Sequence, residues 1–350
     1  MDFVLLLFAL AIGVACRIDG KTNDNHLSLD NTTKLRGILA FAIILHHMSE
    51  KITTGGKFFP LMVHAGYLIV AVFFFLSGYG CLLSYIKKGK SYLKTFWKNR
   101  ILYLVIIYLL TTIAYLFYYR AIDKSIGINS ILYSFINGNP IAMNSWYIIV
   151  QLFMYIFFYI SYSIPNINKW SRIGMVFSFL LLLAILFDYC EYKSIWYISN
   201  FAFVFGLIYA QEKDYFQRLL ERKWIFLLVF TLIVLAAFSA LPLFFENDNV
   251  FSGAFSIRHV SRYISTVAFV SLIILFLFKI RIIGVFWKKM GLMSLELYLL
   301  HGMVYSFLHS SFCYIEQDVA WTLLTIAITV LISIPAHYIN SIISQMIRKK

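Results

Sequence analysis

The stretch R-G-I-L-A-F-A-I-I-L-H-H, Arg36 to His47, is an apolar run that opens on a guanidinium and closes on two imidazoles. Eleven positions separate Arg36 from His47. At roughly 100° per residue in an α-helix, the two side chains return to nearly the same face, about 16 Å apart along the axis, while His46 turns roughly 80° away. Asn31, Thr32 and Thr33 precede the run as N-cap candidates. In a hydrocarbon core about 30 Å thick, the stretch predicts a spanning helix with a cation near one surface and an imidazole about halfway through. Ionisable groups at such depth are costly and mark functional paths by default. An interfacial Arg anchor with two histidines hydrogen-bonded inside a helix bundle accounts for the same spacing, so spacing alone leaves both readings open.

The apolar texture continues along the whole chain. Of 350 residues, 61% are hydrophobic and only 13% charged, with a mean hydropathy of +0.80. No soluble domain of this size has that balance. Apolar stretches separated by short polar loops predict an all-α, polytopic transmembrane helix bundle. The predicted spans are 3–16, 35–52, 65–86, 101–119, 146–164, 173–190, 194–211, 224–243, 262–280, 290–308 and 320–342, eleven in all. The first lacks the basic n-region of a signal peptide and reads as a retained span with its N-terminus outside.

Charge tests the alternation. The formal net charge of +14 would point to nucleic acid in a soluble protein, but here the basic residues sit at helix ends, so no nucleic-acid partner is expected. Segments on one side carry 23 of the 30 Lys and Arg, including the run Lys87, Lys88, Lys90, Lys94, Lys98 and Arg100. The opposite segments hold seven: Lys51, Lys57, Arg120, Lys124, Lys193, Arg258 and Arg262. The positive-inside rule then makes the basic side cytoplasmic and leaves 49–64, 120–145 and 244–261 outside. Four cysteines show no metal-site spacing, and no metal is expected.

Several constellations could carry chemistry or packing. Ser77, Gly78 and Gly80 follow a triple Phe and let a helix or a ligand approach the backbone. The basic run ending at Lys98 and Arg100 reads as a topology signal with membrane-lipid contact or as a dock for a phosphate-rich ligand. Ser294, Tyr298 and His301 fall at i, i+4 and i+7, one helix face that offers either a hydrogen-bonded network or interhelical glue; Glu296 points elsewhere and needs its own partner. Trp146 and Tyr147 suit an interfacial anchor, and the neighbouring Asn144 and Gln151 suit a polar ligand or a helix bridge.

Together these stretches resemble the acyltransferase family 3 integral membrane proteins. The resemblance rests on Leu35 to His47, F-F-F-L-S-G-Y at Phe73 to Tyr79, F-W-K-N-R-I-L-Y at Phe96 to Tyr103, S-W-Y-I at Ser145 to Ile148, and S-L-E-L-Y-L-L-H at Ser294 to His301. It covers about 35–345, leaving 1–34 as an extra span with a cytoplasmic linker and 346–350 as a basic tail. It implies a ten-helix core that moves an acyl group, usually acetyl, from cytoplasmic acyl-CoA to an extracytoplasmic glycan. The family's active Arg and His match Arg36 and His47, with His46 outside the pattern. Two features depart from the family: Thr33 stands where many members have an acidic residue, and Tyr103 and Val105 replace a common second Arg and a Pro.

The expectation is therefore a cell-membrane O-acetyltransferase acting on an exported or surface polysaccharide. Its C-terminus is expected in the cytoplasm. His47 would be the base or relay, Arg36 the phosphate or thioester contact, and Lys98 and Arg100 further donor contacts. Ser77, Trp146, Tyr147, Ser294, Tyr298 and His301 would complete the substrate network, with acetyl-CoA the acyl donor. The rival expectation from the same residues is an exporter of polysaccharide or lipid-linked sugar without acyl transfer.

Overall fold

The computed structural model describes residues 1–18, 25–52, 55–124, 126–244 and 253–349. The chain opens on α1 (Asp2–Ala15), the short strand β1 (Cys16–Ile18), α2 (Leu29–Ser49) and α3 (Gly66–Lys88). A continuous helical stretch follows: α4 (Lys90–Phe96), a π-turn over Trp97–Leu102, and α5 (Tyr103–Ala121). Next come α6 (Ile128–Ile136), α7 (Trp146–Ser163), α8 (Lys169–Tyr189), α9 (Phe201–Gln211) and α10 (Lys213–Phe244). The last part holds α11 (Ile257–Lys279), β2 (Ile280–Ile282), α12 (Val285–Leu292), α13 (Ser294–Phe307), the β3–β4 ribbon (His309–Ser310, Cys313–Tyr314) and α14 (Asp318–Lys349).

Every predicted span coincides with helix, but not every one stands alone as a membrane crossing. Seven are long and apolar enough: α3, α4–α5, α7, α8, α10, α11 and α14. The other four are α1, only 14 residues long, the polar α2, the 11-residue α9, and a last stretch broken at Met293 between α12 and α13. Within the predicted outer segment 120–145, α6 is a helix the sequence reading did not assign. Much of the third predicted outer loop, 245–252, lies outside the described residues.

Small residues decide how the helices meet. A Cβ at Gly78 of α3 would stand 2.1 Å from the Phe203 carbonyl oxygen of α9, and one at Gly206 of α9 would stand 2.3 Å from that of Phe75. The two helices thus interlock reciprocally, backbone against backbone, as small residues permit in membranes. Gly37 of α2 faces the Trp287 carbonyl in the same way, and Gly291 at the end of α12 faces that of Thr33. Gly80, by contrast, meets nothing within 4 Å and opens onto a cavity.

The helix ends sort by charge. At one end Arg17 and Arg281 lie opposite each other in the β1–β2 ribbon, and Lys288 reaches the Asp30 carboxylate at 2.8 Å. Lys34 also pairs with Asp30, and Lys288 first, then Lys34, hold that carboxyl below its ordinary range. Arg172 stops α7 by donating to the carbonyls of Ser161, Tyr162 and Ile164, acceptors that a helix terminus leaves without partners. At the other end the Asp2 carboxylate accepts from the backbone N–H groups of Lys57, Phe58 and Phe59. Gly56, at φ +152°, leaves room for that carboxylate, which a Cβ would meet at 2.2 Å. Near this end Val4 of α1 joins Ile44 and Met48 of α2 in one apolar cluster, and farther along α1 Phe8 lies edge-on to Trp287.

Candidate active site

A cavity of about 900 Å³ opens at the basic end between α2, α3, the α4–α5 stretch, α7, α13 and α14. Arg36 and Arg100 both line it. Arg36 donates to Thr33 Oγ1 at 3.0 Å, and Arg100 lies over the Tyr155 ring at 6.0 Å. Among the described residues neither guanidinium is paired with a carboxylate. Two uncompensated guanidiniums in a partly buried cavity call for an anion, and their planar forks match phosphate oxygens. Thr33, where an acid would have neutralised Arg36, leaves that charge for a ligand. Lys88 and Arg348 add cations at the rim, and Tyr103 lines the wall.

The deep end of the cavity abuts a cluster of imidazoles. Tyr298 lines the cavity and donates its phenol proton to the Asn144 carbonyl at 2.8 Å. Asn144 sits in the left-handed region at φ +62°, a conformation most side chains avoid and one that clusters at functional sites. Its side-chain amide lies 3.3 Å from His301 Nε2. His301 is fully buried, with Nδ1 3.1 Å from the Leu297 carbonyl, and its ring stacks on His47 at 5.1 Å. His47 Nδ1 lies 2.8 Å from Glu50 Oε2.

These partners assign the tautomers. A carbonyl or carboxylate oxygen only accepts, so His47 carries its proton on Nδ1 toward Glu50, and His301 carries its own on Nδ1 toward Leu297. In the neutral ring His47 Nε2 is then the acceptor nitrogen, oriented by a carboxylate, while His301 Nε2 accepts from Asn144. His46 differs. Its Nδ1 donates to the Met62 carbonyl at 2.9 Å, and its ring fills the space where Gly66 lacks a Cβ. The ligand atoms of His46, His47 and Glu50 lie within 4.8 Å of one another, and His47 Nδ1 and Glu50 Oε2 of this group already share a hydrogen bond.

The family model of an acyltransferase domain, acyltransferase family 3, matches residues 34–338, nearly the whole chain. The chain belongs to this family. No curated protein and no solved structure matches it.

On this membrane acyltransferase the sequence-predicted residues divide into two groups and a remainder. Arg36, Ser77, Arg100, Tyr147, Ser294 and Tyr298 come together on the cavity wall. His47 and His301 meet above it. Trp146 instead turns away to pack near Trp196, at 6.4 Å, and Lys98 is half-buried but does not line the cavity. Both positions follow from helix geometry, because Trp146 neighbours Tyr147 and Lys98 precedes Arg100 by two, offsets that face other directions. Glu296 finds its partners on α14: Asn340 donates to it at 2.8 Å, and His337 Nδ1 lies 3.2 Å away. The sequence reading missed Glu50, although its place three residues after His47 on the same helix was the available signal. It weighed Asn144 only as a generic polar group, because a left-handed backbone at an asparagine leaves no mark in a span pattern.

Proposed function

We propose that this acyltransferase moves an acetyl group from cytoplasmic acetyl-CoA to a hydroxyl of an exported or cell-surface polysaccharide. The observation that carries the reading is a cavity with two unpaired guanidiniums whose deep end meets a carboxylate-oriented imidazole. The 23-to-7 distribution of Lys and Arg supports a cytoplasmic position for the cavity mouth and a cell-membrane location. Arg36 and His47 stand about 16 Å apart along α2. A pantetheine arm, an amide-linked chain about as long as four to five extended residues, reaches roughly that far. Phosphates held at Arg100 and Arg36 would therefore bring the thioester up to the Asn144 level, where His47 waits.

The chemistry is acyl transfer assisted by a general base. His47 Nε2 takes the proton of the acceptor hydroxyl as its oxygen attacks the thioester carbonyl. The carbon–sulfur bond then breaks, and the imidazolium returns the proton to the departing CoA thiolate. Glu50 holds the ring in the required tautomer and faces the positive charge as it forms. Tyr298 and Asn144 stand between the cavity and the imidazoles, and Asn144 holds His301, whose ring stacks on the base.

Purified protein supplied with radiolabelled acetyl-CoA and an oligosaccharide acceptor tests the reading directly. Labelled acetyl on the acceptor, with release of free CoA, is the expected result. An exporter would neither consume the thioester nor label the glycan, and that outcome would overturn the proposal.

A further inference from the structure

On α7, Tyr147, Gln151 and Tyr155 follow at intervals of four and form one stripe on the cavity wall, each step rising about 6 Å. The ends of the stripe are already engaged. Tyr147 lies 5.1 Å from the Tyr298 ring at the deep end, and Tyr155 lies under Arg100 at the basic end. Ser77, across from them on α3, interacts with both phenols. Gln151 between them is only 2% exposed, and neither its Oε1 nor its Nε2 has a hydrogen-bond partner. A buried primary amide with both ends unsatisfied is a costly arrangement that native structures keep where something else completes it.

The chemistry of the missing partner follows from the two atoms. Oε1 needs a donor and Nε2 needs an acceptor, side by side. A phosphate offers acceptors alone, and an acyl chain offers neither. A secondary amide carries an N–H and a C=O on opposite edges, so two neighbouring amides can turn an N–H of one to Oε1 and a C=O of the other to Nε2. The pantetheine arm carries two such amides between the pyrophosphate and the sulfur. With the phosphates at Arg100, a group one helical turn deeper falls within about two extended-residue lengths of them, the region of those amides.

We propose that Gln151 binds an amide of the donor's pantetheine arm. This inference rests on the acyl-CoA reading above.

The test uses the full-length protein with acetyl-CoA and two analogues, each with one pantetheine amide replaced by an ester, which removes the N–H and keeps the length. The wild type should lose about fivefold to tenfold in KM for one analogue, the size of a single neutral hydrogen bond, with kcat nearly unchanged. Gln151→Met should raise KM for acetyl-CoA by a similar factor and be blind to the replacement. Gln151→Asn, shorter by one methylene, should show a weakened discrimination and serves if the Met variant does not accumulate. A variant that discriminates as well as the wild type overturns the role of Gln151, and so does a wild type that turns over all three donors alike. If the wild type neither binds CoA nor consumes acetyl-CoA, the donor reading fails and this inference fails with it.

Discussion

Below Asn144, Arg36 and Arg100 face an open cavity whose lining carboxylate, Glu296, is held by Asn340 and His337 and pairs with neither; above it, His47 has a carboxylate at 2.8 Å and a second imidazole stacked on its ring. The two regions share helices, since α2 carries both Arg36 and His47 and α13 carries both Tyr298 and His301. They differ in how charge is balanced. In the lower region the protein withholds the counter-charge, so a ligand must supply it. In the upper region the counter-charge is built in, so the imidazole keeps a fixed tautomer before any ligand arrives. Recruitment of an anionic donor and activation of a neutral acceptor require these opposite arrangements, and Asn144 with Tyr298 marks the border between them.

Removing the base should have the largest effect. His47→Ala is expected to lower acetyl transfer by about 10²–10⁴-fold while the protein still accumulates in the membrane. His46→Ala, which loses a bond to the Met62 carbonyl and a 3.6 Å approach to Glu50, should stay within several-fold of the wild type. Assays at matched protein level check the pair, and equal losses would erase the distinction between the two histidines. Next, Glu50→Gln keeps the shape but removes the built-in charge. A fall in kcat of roughly 10- to 100-fold with little change in the KM for donor is expected, the scale of one charge-assisted hydrogen bond. Should KM move instead of kcat, Glu50 belongs to binding and the contrast between the regions is drawn in the wrong place.

In the lower region, Arg36→Lys and Arg100→Lys keep the charge and lose the planar fork. Each should raise the KM for acetyl-CoA about tenfold with a smaller change in kcat. Initial rates across donor concentrations decide it. The smallest effect belongs outside both regions. Asp30 ties Lys288 and Lys34 at the basic end, and its exposed pairs contribute no more than about 1 kcal/mol. Because its folded carboxyl titrates lower than the unfolded one, this stabilisation is present above the ordinary carboxylate range and is lost as pH falls through the lowered value. Asp30→Asn should thus lower the thermal midpoint slightly at neutral pH, and the difference should vanish in acid, with activity unchanged.

The sequence by itself determined the class of the protein, because a mean hydropathy of +0.80 over 350 residues admits only a membrane solution. It also determined where most helices form, since backbone groups in hydrocarbon must be satisfied within their own segment, whereas α6, outside the apolar stretches, left no such mark. The register of Arg36 with His47 and the shared face of Ser294, Tyr298 and His301 were legible for a related reason: both lie within single helices, whose period is fixed. Everything that depends on two elements meeting was decided by the tertiary structure. Gly78 and Gly206 set the α3–α9 approach only as a pair, and Trp146 faces away from the site that Tyr147 lines because α7 is rotated by its packing. Asn144 reaches His301 across 157 positions of chain through a left-handed turn. Glu296 waits for Asn340 and His337 from α14. A helical repeat fixes neighbours three or four residues apart, whereas distant partners are chosen by which small residues let two backbones come close.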